Sequence, residues 1–385
     1  MEQEFTTSTG FKIYYGAAAV AATIASGYLL TSEGAGAEGA KVFFGIILLL
    51  IAAAIGINLY KRKVIFFDDR IIYTSVWGTK EMSNSDIKGF RVGEKAIFIE
   101  PLQAGYSRLK IRDYLSIGRK NELVEFLSSH YTDLNKLEFE EEKEEILQDT
   151  DLGQTEEDRE TAFKNIRRYV MIFNFIGLGL FFFAIYFHEN NYWLRIIAII
   201  FPLTGLALMR ISKGLIRLYA KKSSAYPTIF IGMLLSSVVA SVLSFIDTKI
   251  ISFDNLWVPA IIVFMVIFSA LYYLVVKLAK APFLNQVAFI VIISAAYGFG
   301  GTLLANSIFD PSQPQVFPAK ITDHHVTRGS KSTTYHIIIG GWGNHAEGEN
   351  ISVSSSFYDR AEVGSIVHVN LKKGLFNVPW YFISQ

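Results

Sequence analysis

Seven apolar runs punctuate this chain, at residues 12–30, 41–60, 169–187, 192–209, 226–246, 256–278 and 283–305. A bilayer core is crossed by about 20 apolar residues in helical form. The pattern therefore predicts a membrane bundle of about seven transmembrane helices. The fourth run is the shortest and carries Pro202, which makes it the weakest candidate. The seventh opens with Asn285 and Gln286 and ends among Gly298, Gly300 and Gly301. The first run, followed by Ala35-Gly36-Ala37, also has the outline of a cleaved signal peptide. However, Glu2 and Glu4 precede it where a basic segment belongs, so it reads as a retained helix.

Between the second and third runs the period changes. Val64-Ile65-Phe66-Phe67 and Ile71-Ile72-Tyr73-Thr74-Ser75-Val76-Trp77 flank Asp68-Asp69-Arg70, and three further short runs follow at 86–92, 96–99 and 107–111. Turn residues between β-branched and aromatic runs predict hairpins. Leu123, Val124, Phe126, Leu127 and Tyr131 then recur at helical spacing. After the seventh run, Asp310-Pro311-Ser312-Gln313-Pro314 leads to strand signals at 316–321, 333–339, 350–355, 366–371 and 380–383. About five strands in so short a stretch predict a small all-β barrel or sandwich.

Five segments result: a two-helix transmembrane hairpin (1–60), a mixed α+β domain (61–135), an acidic linker (136–167), a five-helix transmembrane region (168–307) and a C-terminal β-domain (308–385). The linker carries Glu138, Glu140, Glu141, Glu142, Glu144 and Glu145, then Glu156, Glu157 and Asp158. It reads as a solvated helix or flexible tether. The sharper alternative is a docking strip for a basic partner or for the basic loop 210–222.

Lys and Arg in the short loops set orientation. Lys61-Arg62-Lys63, Arg167-Arg168, the loop after the fourth run, and Lys277 with Lys280 read as inside. The loops at 31–40 and 188–191 carry neither Lys nor Arg before the next helix, and 247–255 has one Lys; these read as outside. The expected topology is N-terminus inside and C-terminus outside, multi-pass, in a bacterial inner (cytoplasmic) membrane. Lys61, Arg62 and Lys63 are read as topology determinants.

The strand series closed by one helix, with the step Ser83-Asn84-Ser85-Asp86-Ile87, resembles the bacterial PH-like (pleckstrin-homology-like) domain family over roughly 62–135. The resemblance implies a cytoplasmic binding or scaffolding module beside membrane helices, without a reaction. Residues 363–369, Gly374-Leu375 and Trp380-Tyr381 are similar to small β-domains of bacterial membrane proteins.

Composition sharpens this picture. Of 385 residues, 51% are hydrophobic and only 18% charged, against about 25% in soluble domains. The 36 basic and 35 acidic residues nearly cancel, which argues against nucleic acid as a partner. With no cysteine, disulfides, Cys-zinc sites and thiol catalysis are excluded. No Walker-type phosphate loop is present, and no run carries a central Asp, Glu, Lys or His.

Candidate chemistry is thin. Arg210, Lys213, Arg217, Lys221 and Lys222 alternate with Ile211, Leu215, Leu218 and Tyr219 as an interfacial helix would, basic heads toward lipid headgroups. Asn174, Ser237 and Ser241 are polar at membrane depth; they read as helix packing, or as the lining of a transporter or channel. Asp323, His325, His336 and His368 could bind a metal outside the cell, although no chelating spacing joins them. Ser352, Ser354, Ser355 and Ser356 read as strand-face polars. No cofactor is expected. The expected partners are the lipid bilayer and proteins held by the two soluble modules. The overall expectation is a non-enzymatic membrane scaffold or signalling protein, with a transporter or a metal-dependent β-domain as alternatives.

Overall fold

The structure is a computed structural model that describes residues 2–31, 38–103, 105–187, 191–329 and 333–385. The Ala35-Gly36-Ala37 pattern and most of the loops expected at 31–40 and 188–191 lie outside these residues. The chain divides into two compact units, Met1–Glu142 and Lys143–Gln385.

The first unit opens with a strand, β1 (Gln3–Thr6), ahead of the helical hairpin α1 (Thr9–Thr31) and α2 (Glu38–Lys61). There follow β2 (Lys63–Phe66), β3 (Arg70–Ser75), β4 (Gly78–Ser83), β5 (Ile87–Val92), β6 (Ala96–Pro101) and β7 (Leu109–Arg112). The helices α3 (Lys120–His130) and α4 (Leu134–Gln148) complete the series. The strands form two antiparallel sheets, β1-β2-β3-β4 and β5-β6-β7. Phe5, Phe66 and Ile71 share one core with Phe90, Ile97 and Ile111, and Leu123 and Leu127 of α3 close it.

β1 and β2 pair through Phe5↔Val64, so both ends of the α1–α2 hairpin are stitched into one sheet. Residues 1–60 and 61–135 are therefore a single unit rather than two successive domains. The step at Ser83–Ile87 is a tie point. Asn84 donates to Asp68 O (2.9 Å) and accepts from the Tyr131 hydroxyl (2.8 Å). Burial raises the Tyr131 phenol above its ordinary pKa, which keeps it a donor.

Arg62 departs from its expected role as a mere topology charge. It is buried, donates to the carbonyls of Arg112 and Asp113 and to Ser116 Oγ, and pairs with the Asp113 carboxylate at 3.4 Å. The acidic segment is mostly helix, as α4 and the first turns of the next helix, α5 (Glu156–Tyr186); Glu138 on α4 meets Arg91 at 2.6 Å.

The second unit holds α5 (Glu156–Tyr186), α6 (Tyr192–Ile211), α7 (Phe230–Asp247), β8 (Lys249–Ile250), α8 (Trp257–Tyr272) and α9 (Phe283–Ile308). A π-helical turn, Tyr273–Leu278, prolongs α8. A Thr155–Asp158 capping box starts α5 well before its apolar portion. Among the described residues six helices are long and apolar enough to cross a membrane, and the chain reads as a membrane protein. α6 is one of them, despite Pro202. The short one is α7, whose 18 residues rise about 27 Å. Pro227 disfavours helix in the residues before it, so the start of the fifth apolar run folds as loop, with Ala225 and Ile229 buried.

α9 is the most enclosed of the spans and packs against α6, α7 and α8. Glycines set the close crossings. A Cβ on Gly177 of α5 would stand 2.7 Å from Gly232 Cα of α7, and one on Gly300 of α9 would stand 2.7 Å from the Ser241 backbone nitrogen.

The C-terminal module comprises β9 (Gln315–Arg328), β10 (Thr333–Ile339), β11 (Glu349–Val353), the short α10 (Ser355–Tyr358), β12 (Ile366–Lys372) and β13 (Trp380–Ser384). It forms an antiparallel sheet ordered β11-β10-β9-β12-β13-β8, open at both edges rather than a closed barrel. The long β9 serves two partners: residues 315–320 pair with β12 and 321–328 with β10. β8 comes from the α7–α8 connection and pairs with β13, so the sheet grows out of the bundle.

Candidate functional site

The five basic residues of 210–222 do not lie on an interfacial helix. α6 stops at Ile211, and Lys213 and Gly214 both take positive φ (52° and 97°), which breaks the helical path. Of the apolar positions read as an acyl-facing stripe, Ile211 and Tyr219 are exposed, whereas Leu215 and Leu218 enter the bundle. Leu215, Ile216 and Leu218 are buried. Arg217 is spent on architecture: it donates to Ala279 O and lies over the Tyr226 ring. Lys213 donates to Asp151 O at 2.8 Å. Arg210, Lys221 and Lys222 remain at the surface.

The intramembrane polar residues are tied to helix packing. Asn174 on α5 donates to Thr228 O (2.7 Å) and accepts from the Gly232 N–H (2.8 Å), which satisfies the start of α7. Ser237 is buried and donates to Met233 O of its own helix at 2.7 Å, and Ser241 faces Gly300.

The four candidate metal ligands are not brought together. His325 and His336 are direct partners across β9 and β10, their rings stacked at 4.9 Å. Asp323 accepts from the His324 N–H at 2.8 Å. His368 sits opposite Pro318, seven residues along β9 from His325, or roughly 23 Å at strand rise. Among the described residues no three His, Asp or Glu side chains are grouped for a metal.

What the fold does build is a joint and a cleft. The joint links the end of α9 to the sheet. Asn306 is buried, donates to Val378 O (2.9 Å) and accepts from the Phe376 N–H (2.9 Å). Asp310 is also buried and accepts from Trp380 Nε1 (3.0 Å), the Gly374 N–H (3.0 Å) and the Ser312 N–H (2.8 Å). Lys372 donates to Asp310 O at 3.0 Å and stands 3.8 Å from its carboxylate. Burial alone would raise the Asp310 pKa, but the hydrogen bonds from Ser312, Gly374 and Trp380 overcome it and hold the carboxyl below its ordinary value. Gly374 has a φ of 81° and packs so closely on Asn306 that a side chain has no room.

The cleft, about 700 Å³, lies between the bundle and the sheet. Arg195 at the start of α6 and Ile246, Thr248 and Lys249 at the end of α7 line one side. Residues of β10, β11, α10 and β13 line the other, with Thr333, Thr334, Ser352 and the Ser354–Ser356 run supplying hydroxyls. Arg360 adds a third side-chain cation to the lining, from the module. Tyr381, also lining, donates to Glu349 Oε1 at 2.6 Å; burial first, then Glu349, pushes its pKa up and keeps it neutral. The sequence reads the serines as strand-face polars and Lys249 as the one base of an outside loop, because the cleft draws on segments far apart in the chain.

No known protein family, curated protein or solved structure matches this chain.

Proposed function

We propose that the chain is a non-enzymatic membrane scaffold or signalling protein of the bacterial inner membrane. It joins a cytoplasmic PH-like module to an extracytoplasmic β-module through a helical bundle. One observation carries the reading: the most enclosed helix, α9, is hydrogen-bonded through Asn306 and Asp310 directly into β12–β13 and their connecting turn. A ligand that shifts the sheet therefore pulls on the centre of the bundle, with no tether to absorb the movement. The 4+3 antiparallel sheets closed by α3 support the PH-like reading of the first unit.

The chain has no cysteine, which makes topology directly testable. Ser128 and Glu347 are exposed, one in each module. In intact cells a membrane-impermeant maleimide is expected to label Glu347→Cys and to spare Ser128→Cys until the membrane is permeabilised. Equal labelling of both in intact cells would remove the link across the membrane.

The β3–β4 hairpin supports a membrane-seated first unit. Trp77 at its tip is 82% exposed, and the Val76 N–H donates to Asn58 Oδ1 (3.4 Å) on α2. Val76 and Trp77 share a groove with Leu50, Ile51, Ala54 and Ile55, residues well inside the α2 span. Trp77 thus sits where an indole anchors at the interface. A spin label on Trp77→Cys in liposomes is expected to be more accessible to oxygen than to a water-soluble nickel chelate, and one on Ser128→Cys the reverse. Equal accessibility profiles would place the hairpin in water.

A further inference from the structure

The cleft between bundle and sheet has a definite chemical character. Lys249 and Arg360 line it, and among the described residues neither forms an ion pair. Arg360 has only a hydrogen bond to Ser356 O, at 3.1 Å. Arg195 adds a third cation to the wall, and no carboxylate belongs to the described lining. Ser354 and Ser356 lie 3.0 Å apart, oxygen to oxygen, and Ser352, Ser355 and Thr333 add exposed hydroxyls. Cations combined with hydroxyl donors suit a phosphate, whose oxygens accept from both.

The depth of the cleft narrows the source. Arg195 lies in the first turn of α6, and Ile246 in the last turn of α7. The opening is therefore level with the start of α6, a membrane-length helix, and with the end of the shorter α7, where phospholipid headgroups lie. Ile246 and Phe382 are partly exposed apolar residues of the same lining, placed to meet the glycerol and upper acyl region.

We infer that this cleft binds the phosphate of an anionic phospholipid headgroup in the leaflet that faces the β-module. Lys249 and Arg360 hold the charge, and the Ser352–Ser356 hydroxyls complete the phosphate's hydrogen bonds. The lipid would then bridge the sheet and the α6–α7 end of the bundle, a contact separate from the α9 joint.

The test uses the full chain, delipidated in detergent. Native mass spectrometry would follow titration with phosphatidylglycerol, with phosphatidylcholine and with soluble glycerol 1-phosphate. Phosphatidylglycerol is expected to be retained most tightly. The double variant Lys249→Gln/Arg360→Gln is expected to weaken it by about tenfold, as the loss of charged hydrogen bonds implies. Lys249→Arg/Arg360→Lys keeps both charges and should retain the lipid. Thermal unfolding of each variant without lipid separates lost binding from lost fold; a Gln variant that melts early is replaced by Lys249→Met/Arg360→Met. Equal retention of phosphatidylglycerol by the wild type and the charge-removed variant would overturn the site. So would equal affinity for phosphatidylcholine. Binding of glycerol 1-phosphate as tight as that of the lipid would overturn the membrane source.

Discussion

An Arg62→Leu chain is expected to lose about 3 kcal/mol of stability in its first unit, the cost of removing charge-assisted hydrogen bonds from a buried site. Arg62 directly follows α2 and directly precedes β2, so it is the neck between the helical hairpin and the sheets. It is only 5% exposed. Its guanidinium serves the carbonyls of Arg112 and Asp113, Ser116 Oγ and the Asp113 carboxylate. A leucine fills the space but removes the guanidinium donors from the Arg112 carbonyl and from Ser116, while Asp113 keeps only its bonds from Ser116 and Tyr15. Lys63→Leu is the control: Lys63 is partly exposed and its nearest carboxylate, Glu4, is 3.9 Å away, so it contributes under about 1 kcal/mol. Thermal unfolding of the purified chain, followed by proteolysis within 61–135, should separate the two variants clearly. Indistinguishable midpoints would mean that Arg62 is a topology charge after all.

That contrast shows where the sequence could be read and where it could not. Lys61, Arg62 and Lys63 are equivalent as text; only the sheet that folds over the middle one makes it structural. The spans were legible because hydropathy is a local property, and β2, β3, β5–β7 and β9–β13 because turn residues bracket them. β1 was not, since Gln3-Glu4-Phe5-Thr6 is too short to carry a period and its partner lies beyond both helices. In 210–226 the apolar spacing is real, but the bundle buries only Leu215 and Leu218 of that stripe, and the left-handed pair Lys213-Gly214 forbids the helix that periodicity suggested. Alternation along β9 puts His324 and His325 on opposite faces, yet register alone decides that His325 meets His336 and that His368 meets Pro318. The cleft was the least legible feature. Its cations and hydroxyls come from α6, the α7–α8 connection, β10, β11 and α10, so no window of sequence holds them together.

At the far end of α9, removing the Asp310 carboxylate is expected to cost about 3–5 kcal/mol at neutral pH, because Lys372 would be left without its buried partner. The effect should also carry a pH signature. The Asp310 carboxyl is depressed below the unfolded value of about 3.9 by the donors Ser312, Gly374 and Trp380, which outweigh the opposing effect of burial. A depressed carboxylate contributes stability that is fully present above the unfolded pKa and is lost as pH falls through the folded one. The wild-type chain should therefore lose joint stability on acidification below about pH 4, whereas D310N, already without the charge, should be less stable at pH 7 and lose less on acidification. The measurement is the unfolding midpoint of both chains in detergent at pH 7 and at pH 3.5, with near-ultraviolet circular dichroism reporting on Trp380. Parallel losses in the two chains would show that the acid sensitivity arises elsewhere. A larger loss in the wild type would locate it at the Asp310 carboxylate, which with Asn306 joins the end of α9 to the sheet along the route of the proposed coupling.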